Sequence, residues 1–308
     1  MQKQVICIGA ALVDELYSAK APMLLATTND AIVHRSAGGV SRNVAHQLAL
    51  LGIPVQLISV FGNDGDGDWL KTICTYSGIK LDAAITTNTL TGKYTGILNY
   101  DGSLFTALIT HAALEFITPS HLQQHEQLLK EAAFIVADAN ISVEAVEWLS
   151  VFCKNTGIPF ILEPVSVPPA SKFSNANLEG LYMVTPNEDE LPVMCSNKNY
   201  TTTAQQANEL LQRGVQKVWV HNGAHGSTLF TKEKTYHLPA PYVQNIKDCT
   251  GAGDGSLTGF ITAQYLGKTD EQSLQIAHTL SAEILQVNGA IASHLKQDDL
   301  LQLVSNYY

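Results

Sequence analysis

The period of apolar and polar positions changes several times along the chain. Val5-Ile6-Cys7-Ile8 is an unbroken apolar run ending at Gly9, which predicts a strand buried on both faces. Residues 31–36 alternate loosely and suggest another strand. After Gly38-Gly39, Val44, Leu48 and Leu51 recur at helical spacing, and Gly52 with Pro54 ends that helix. Val55–Phe61 reads as an apolar strand, and Trp69 to Tyr76 as a helix stopped by Gly78. Residues 94–110 hold two β-prone runs around Asp101-Gly102, a hairpin turn signal. From about 119 onward, helices near 120–131, 143–155 and 202–213 alternate with strands at 133–138, 159–163, 182–185 and 217–221.

Such alternation predicts an α/β fold: a mainly parallel sheet with helices on both faces, and ligands beyond the carboxyl ends of its strands. The motifs at 38–43, 185–190, 221–226 and 248–254 all follow strand-like runs, so they are expected to meet on one rim. The segments near 11–37 and 92–110 interrupt the alternation and are expected to form a small β lid over that rim. With no repeat and no low-complexity linker, residues 1–308 read as a single domain carrying these lid insertions.

Composition narrows the partners. A formal net charge of −10 argues against nucleic acid or an anionic membrane surface. No run approaches the ~18–20 apolar residues of a membrane span. The first residues lack a signal-peptide layout and look like a lead into the first strand. The five cysteines are widely spaced, with no Cys-x-x-Cys, as expected for reduced thiols in a cytoplasmic protein.

The most informative stretch is Asp248-Cys249-Thr250-Gly251-Ala252-Gly253-Asp254-Gly255. It opens an apolar-periodic run (Leu257, Phe260, Ile261, Tyr265), so it reads as a glycine-rich turn at a helix N-terminus. There, free N–H groups and the helix dipole favour an anion. Asp254 would repel a resting phosphate; it makes sense as the base that takes a proton from a hydroxyl attacking that phosphate. The blander alternative is a glycine-rich loop capping a packed helix.

Other motifs are weaker alone. Gly38-Gly39-Val40-Ser41-Arg42-Asn43 either admits a hydroxylated ligand, with Asn43 donating and accepting, or is a helix boundary capped by Ser41. Asp14 either accepts from a diol or is a turn residue; Arg42 either reaches an anion or is solvated. Gly62-Asn63-Asp64-Gly65-Asp66-Gly67-Asp68 has Tyr76 where a Ca²⁺ loop needs glutamate, so a turn placing Asp64 near substrate is preferred. Asn187 and Glu190 sit at a strand end, where a carboxylate could hold Mg²⁺ through water; Glu163 is a second candidate. Gly223 and Gly226 follow a strand and either face a nucleotide or form a hairpin turn. His221 and His225 are not on a helix, so metal is discounted. There is no P-loop, and Gly9 stands alone where a dinucleotide fingerprint would begin.

Together these motifs resemble the ribokinase-like sugar and nucleoside kinases, also called the phosphofructokinase-B family. The carriers are Ala37–Asn43 with Leu48–Gly52, Gly62-Asn63-Asp64 with Gly67, Asn187 with Glu190, and Asp248–Asp254. The resemblance implies a three-layer α/β/α sandwich with a β lid, and transfer of the ATP γ-phosphate to a primary hydroxyl of a small sugar or nucleoside. It casts Asp254 as base and the N–H groups of Gly251, Ala252 and Gly253 as an anion hole. Asp14, Gly38, Gly39 and Asn43 become acceptor ligands. Asn187, Gly223, Gly226 and His278 fall on the nucleotide side, His278 against adenine. Glu190 and Glu163 serve Mg²⁺, and Asp248 with Ser293 and Asn288-Gly289-Ala290 surrounds a monovalent cation such as K⁺.

Within the family, 38–43, 136–142 and Glu163-Pro164-Val165-Ser166 are most similar to bacterial pseudouridine kinases. Glu163 departs from an expected aspartate, and Cys249 from a frequent threonine. Acceptor choice is expected to depend on lid residues such as Asn99, Thr110 and His111. A homodimer joined through the lids is also implied. Other acceptors, and a non-catalytic binding protein of this fold, remain the alternatives.

Overall fold

A computed structural model describes residues 2–110 and 113–308. Its strands are β1 (Gln4–Ile8), β2 (Leu12–Ala19), β3 (Ala31–Gly38), β4 (Val55–Ile58), β5 (Val60–Gly62), β6 (Ile85–Thr87) and β7 (Lys93–Leu98). They continue with β8 (Leu104–Thr110), β9 (Ala132–Asp138), β10 (Phe160–Glu163), β11 (Met183–Val184), β12 (Lys217–His221), β13 (Ser227–Thr231) and β14 (Thr235–Leu238). Eight of them form the central sheet in the order β14-β13-β12-β11-β10-β9-β1-β4. All neighbours in it are parallel except at the β12–β13 and β13–β14 edge.

The period-two geometry of a strand sorts β1 onto two cores. Ile6 and Ile8 join Ile135 and Ala137 of β9 on one face. Val5 and Cys7 join Phe134 and Val136 on the other. The helices Val143–Thr156 and Thr203–Gln212 cover the first face; Val40–Leu50, Ala252–Tyr265 and Asp270–Ile284 cover the second. The unbroken apolar run at the N-terminus is thus the signature of a strand with helices on both sides.

Two elements differ from the sequence pattern. The run Val55–Phe61 is two strands broken at Ser59: β4 joins the central sheet, while β5 pairs with β6 in a separate two-stranded sheet. The helix expected near 120–131 is two short helices, Pro119–Gln124 and Glu126–Lys130, meeting at His125. Apolar periodicity continues across both breaks, so it conceals them.

The small second sheet has the order β3-β2-β7-β8. Strands β2 and β7 are parallel, and the two outer pairs are antiparallel. It is fixed to the body at the helix Gly65–Tyr76, where Asp66 pairs with Arg35 of β3 and lies 3.1 Å from Nζ of Lys93 on β7. The Arg35 guanidinium stands 4.2 Å over the Trp69 ring, and Lys93 also bonds Glu15 at 2.8 Å. Large apolar side chains of this lid are exposed, among them Ile32, Val33, Leu104 and Leu108. Among the described residues no helix is long and apolar enough to cross a membrane.

Candidate active site

The helix Ala252–Tyr265 begins at Gly251, whose φ of 76° lies in the left-handed region, and no side chain caps it. A Cβ on Gly251 would come within 2.4 Å of Ala290, so this turn also needs glycine for close packing. A Cβ on Gly253 would meet nothing within 4 Å, so the chain is open beside this position, while Ala252 N donates to Cys249 O at 3.3 Å within the turn. Asp254 is the third residue of the helix. Asn43 Nδ2 donates to its Oδ2 at 2.7 Å. Burial pushes the Asp254 carboxyl up to about 6, against the opposing pull of the Asn43 hydrogen bond and the Arg42 charge.

Asn43 stands in the first turn of the helix Val40–Leu50, which Gly39 opens with φ 95°. Gly38 and Gly39 have separate reasons to lack a side chain. A Cβ at Gly38 would lie 2.1 Å from the Asp14 carboxylate, and one at Gly39 would lie 2.4 Å from the Ala10 carbonyl. Asp14 on β2 is thereby laid against bare backbone. Burial raises it to about 6, with Arg42 opposing, and among the described residues its carboxylate accepts no side-chain or backbone hydrogen bond.

Arg42 is neither solvated nor turned toward a ligand: it is 2% exposed. Its guanidinium donates to the Ala37 and Gly38 carbonyls (2.7 and 3.1 Å) and to Asn43 Oδ1, and it contacts His46 Nδ1 at 3.0 Å. It locks the end of the lid strand to the helix that presents Asn43. Asp138, at the end of β9, does the same from below. It accepts from the Ala10 N–H (2.8 Å) and from the Ser41 hydroxyl (2.7 Å). Ser41 therefore braces Asp138 instead of capping its own helix. Asp64 is likewise occupied, accepting from Gly67 N, Thr91 N and Thr91 Oγ1, so it anchors the entry to β7 and offers nothing to a substrate.

On the far side, Asn187 and His221 form a bridge between the ends of β11 and β12, bringing the 185–190 and 221–226 motifs together. Asn187 N and Nδ2 donate to the two Glu190 oxygens, each at 2.9 Å. Gly223 (φ 54°) faces open space, whereas a Cβ at Gly226 would strike the Leu238 carbonyl at 2.1 Å. Gly226, with φ 96°, is thus explained by the close passage of the chain leaving β14 at Leu238–Ala240, and Gly223 is the one with open space beside it.

His278 differs from its expected place against adenine. It is 5% exposed, and both ring nitrogens are engaged. Nε2 meets the Ser227 hydroxyl at 2.8 Å, and Nδ1 meets the Tyr308 hydroxyl at 3.0 Å. Ser227 Oγ also accepts from Trp219 Nε1, and Nδ1 lies 3.4 Å from the Pro239 carbonyl, which can only accept and so favours the ring proton on Nδ1. Burial holds His278 low, at about 4. It is a packing residue here and shows no free edge.

Between the two sides, Glu163 at the end of β10 faces Asp254, Glu190 and Asp138. Burial and these neighbouring charges raise its carboxyl well above the ordinary range. Its Oε2 accepts from Val165 N at 2.8 Å. Val165 has φ 71°, and Ser166 N donates to Pro164 O at 2.8 Å across it, a left-handed γ-turn that a β-branched residue adopts only under strain. A rim of carboxyls this crowded fits a cation. Both Glu190 oxygens are bonded, however, and among the described residues no cluster of three His, Cys, Asp or Glu could hold a metal. Mg²⁺ therefore fits here through water and a ligand's own phosphates. Asp248 accepts from Thr250 N and Gly289 N (2.9 and 3.0 Å), which joins the two loops expected around a monovalent cation. Ser293 is exposed and makes no hydrogen bond to Asp248 among the described residues.

Comparison with known proteins agrees with this geometry. Residues 2–297 match the pfkB family carbohydrate kinase. The chain belongs to the pfkB family. A sugar kinase of Escherichia coli (strain K12) is 31% identical over 280 residues, covering 88% of this chain and 75% of that one. A pseudouridine kinase of the same organism is 28% identical over 305 residues, covering 98% and 96%. Arabidopsis thaliana ribokinase, solved with ribose and ATP, superimposes with a TM-score of 0.86 at 24% identity over 99% of each chain. As a pfkB kinase the protein is a phosphotransferase acting on a hydroxyl of a sugar or nucleoside, and its fold is ribokinase-like.

The pfkB signatures pointed to Asp254, Asn43, Asp14, Asn187 and Glu190, which the structure sets along one rim. They did not show that Arg42 and Asp138 brace the site from behind, or that Glu163 closes a strained turn at Val165. Asp138 ends a predicted strand and lies within the 136–142 stretch without a role of its own there, and a buried arginine has no pattern of its own. Of the lid residues, Asn99 uses its amide on Ser103 within the hairpin turn, and Thr110 bonds the Lys93 backbone. His111 lies outside the described residues.

Proposed function

We propose that this pfkB kinase transfers the γ-phosphate of ATP to the 5′-hydroxyl of a ribosyl compound, pseudouridine above all. The observation that carries the reading is Asp254. Its carboxyl is shielded, raised toward neutrality and hydrogen-bonded by Asn43, at the mouth of an uncapped helix N-terminus with open space at Gly253. A carboxylate with a pKa near 6 is ionised at neutral pH, yet basic enough to accept the proton as the hydroxyl attacks. Gly251 and Gly253 would then direct backbone N–H groups at charge developing on the transferred phosphoryl group, joined by Ala252 N once it leaves the Cys249 carbonyl. Asp14 and Asn43 would hold the acceptor's hydroxyls, and Asn187 and Gly223 would line the nucleotide. Glu190 and Glu163 would hold Mg²⁺ through water, and Mg²⁺ supplies neutralisation of phosphate charge. The Asp248 loop would take a monovalent cation such as K⁺.

Pseudouridine is favoured because an E. coli pseudouridine kinase aligns over 96% of its own length. A second reading, ribose as acceptor, has support from a Haemophilus influenzae ribokinase at 24% identity. ADP release with Mg²⁺, K⁺ and ATP across pseudouridine, uridine, ribose, adenosine and fructose 6-phosphate separates them. Selective turnover of pseudouridine is expected; selective turnover of ribose overturns the acceptor and keeps the chemistry. Tight ATP binding with no turnover of any acceptor would favour a binding protein. The exposed apolar lid residues support a homodimer through the lids, for which light scattering should give about twice the monomer mass.

A further inference from the structure

Asn43 and Gln47 are four residues apart on one face of the helix Val40–Leu50. Asn43 reaches Asp254. Gln47, 1% exposed, reaches across 245 positions to a different element. Its Oε1 accepts from Ala292 N at 2.9 Å, and its Nε2 lies 3.5 Å from Ala292 O. Ala292 is fully buried and packs with Leu51 and Ala263, so this amide pair is shielded from water. Gln47 uses both ends of its amide on a single residue of an irregular segment.

That segment is the back wall of the Gly251 turn. Ala290 is packed so closely on Gly251 that a Cβ there would lie 2.4 Å from it. Gly289 N donates to the same Asp248 carboxylate that accepts from Thr250 N. Lys247 N donates to Leu285 O at 2.8 Å. The position of the 251–253 backbone is therefore set from behind by residues 285–292, and the far end of that wall is held by Gln47.

We propose that Gln47 is a positioning residue for phosphoryl transfer: through Ala292 and Ala290 it sets where the Gly251–Gly253 N–H groups point. One helix face then fixes both halves of the reacting geometry, the base through Asn43 and the anion hole through Gln47. The inference rests on the assignment of Asp254 and the Gly251 turn made above. A misplacement of well under an ångström in such a turn costs transition-state binding more than ground-state binding.

Gln47→Met keeps the length and removes both hydrogen bonds. Its kcat is expected to fall tenfold or more, with the acceptor KM within twofold of wild type. Calorimetry should show ADP binding unchanged, but the ADP–aluminium fluoride complex formed with acceptor weakened tenfold or more. Ala290→Gly, which removes the methyl group behind Gly251 and is assayed at saturating K⁺ because Ala290 also lies in the loop assigned to a monovalent cation, keeps the test alive if Gln47→Met folds poorly. It should lower kcat threefold or more with Tm nearly unchanged. Folded variants with kcat within twofold of wild type would overturn the proposal. So would a kcat loss matched by an equal rise in acceptor KM, because the disturbance would then run through Asn43. Asp254→Asn is the control. If it turns over normally, the site assignment falls and the inference with it; if it is inactive while the Gln47 and Ala290 variants are fully active, only the inference falls.

Discussion

The Asn43 amide donates to the Asp254 carboxylate across 2.7 Å, joining two helix first turns that are 211 positions apart in the chain. This contact stabilises the ionised carboxylate, so it sets the pH at which the base is ready. Asn43→Ala should raise the Asp254 pKa further above 6. A hydrogen bond to a charged group contributes ~1.5 kcal/mol or more, which corresponds to about one pH unit. The acid limb of the kcat/KM profile, expected near pH 6 in the wild type, should move up by that amount, while the alkaline side stays in place.

Asp254 also burdens the fold. Its pKa is raised on folding from 3.8 to about 6, so the folded state binds its proton more tightly than the unfolded state does. The stability this gives is present below pH 4 and is lost as pH rises through 6. Asp254→Asn is therefore expected to abolish most turnover yet raise Tm at pH 7, by about 1–2 kcal/mol of stability. The Tm gap between variant and wild type should widen from pH 4 to pH 7; a constant gap would contradict it.

Arg42 offers the opposite balance. Arg42→Met would leave the Ala37 and Gly38 carbonyls without their donors in a buried place, a loss of roughly 2–3 kcal/mol in chemical denaturation. It would also remove the positive charge that opposes the rise of Asp14 and Asp254. Both should titrate higher, which the pH–activity profile and carboxyl NMR shifts can read.

The lid is held by partly exposed charge, which makes its attachment sensitive to salt. Asp66→Asn weakens the pairs with Arg35 and Lys93, each about 0.2–1 kcal/mol. The acceptor KM should rise severalfold with kcat within twofold, and the wild type assayed in high salt should drift toward the variant. An unchanged KM would show that the lid is positioned by its backbone alone.

Much of this was legible beforehand, because burial on both faces leaves unbroken apolar strands and helices leave their own period. The lid could be read from the Asp101-Gly102 turn, and the glycines at 38, 39 and 251 from the closeness they permit. What escaped was set by distant contacts. Ser59 splits an apolar run because its two halves pair with different sheets. Asp64 looked available until Thr91, 27 residues on, took both oxygens. The His278 ring is enclosed by Ser227 and Tyr308, and no local pattern announces either neighbour. Val165 carries a left-handed backbone without being glycine or asparagine, so nothing in its identity gave the turn away.

Glu163, Glu190, Asp138 and Asp254 stand close enough at the strand ends that, together with burial, they raise the Glu163 carboxyl well above its ordinary range. The folded chain therefore keeps the Glu163 proton longer than a free glutamate would as pH rises, so acid release at this one position reports on how tightly the strand ends are drawn together.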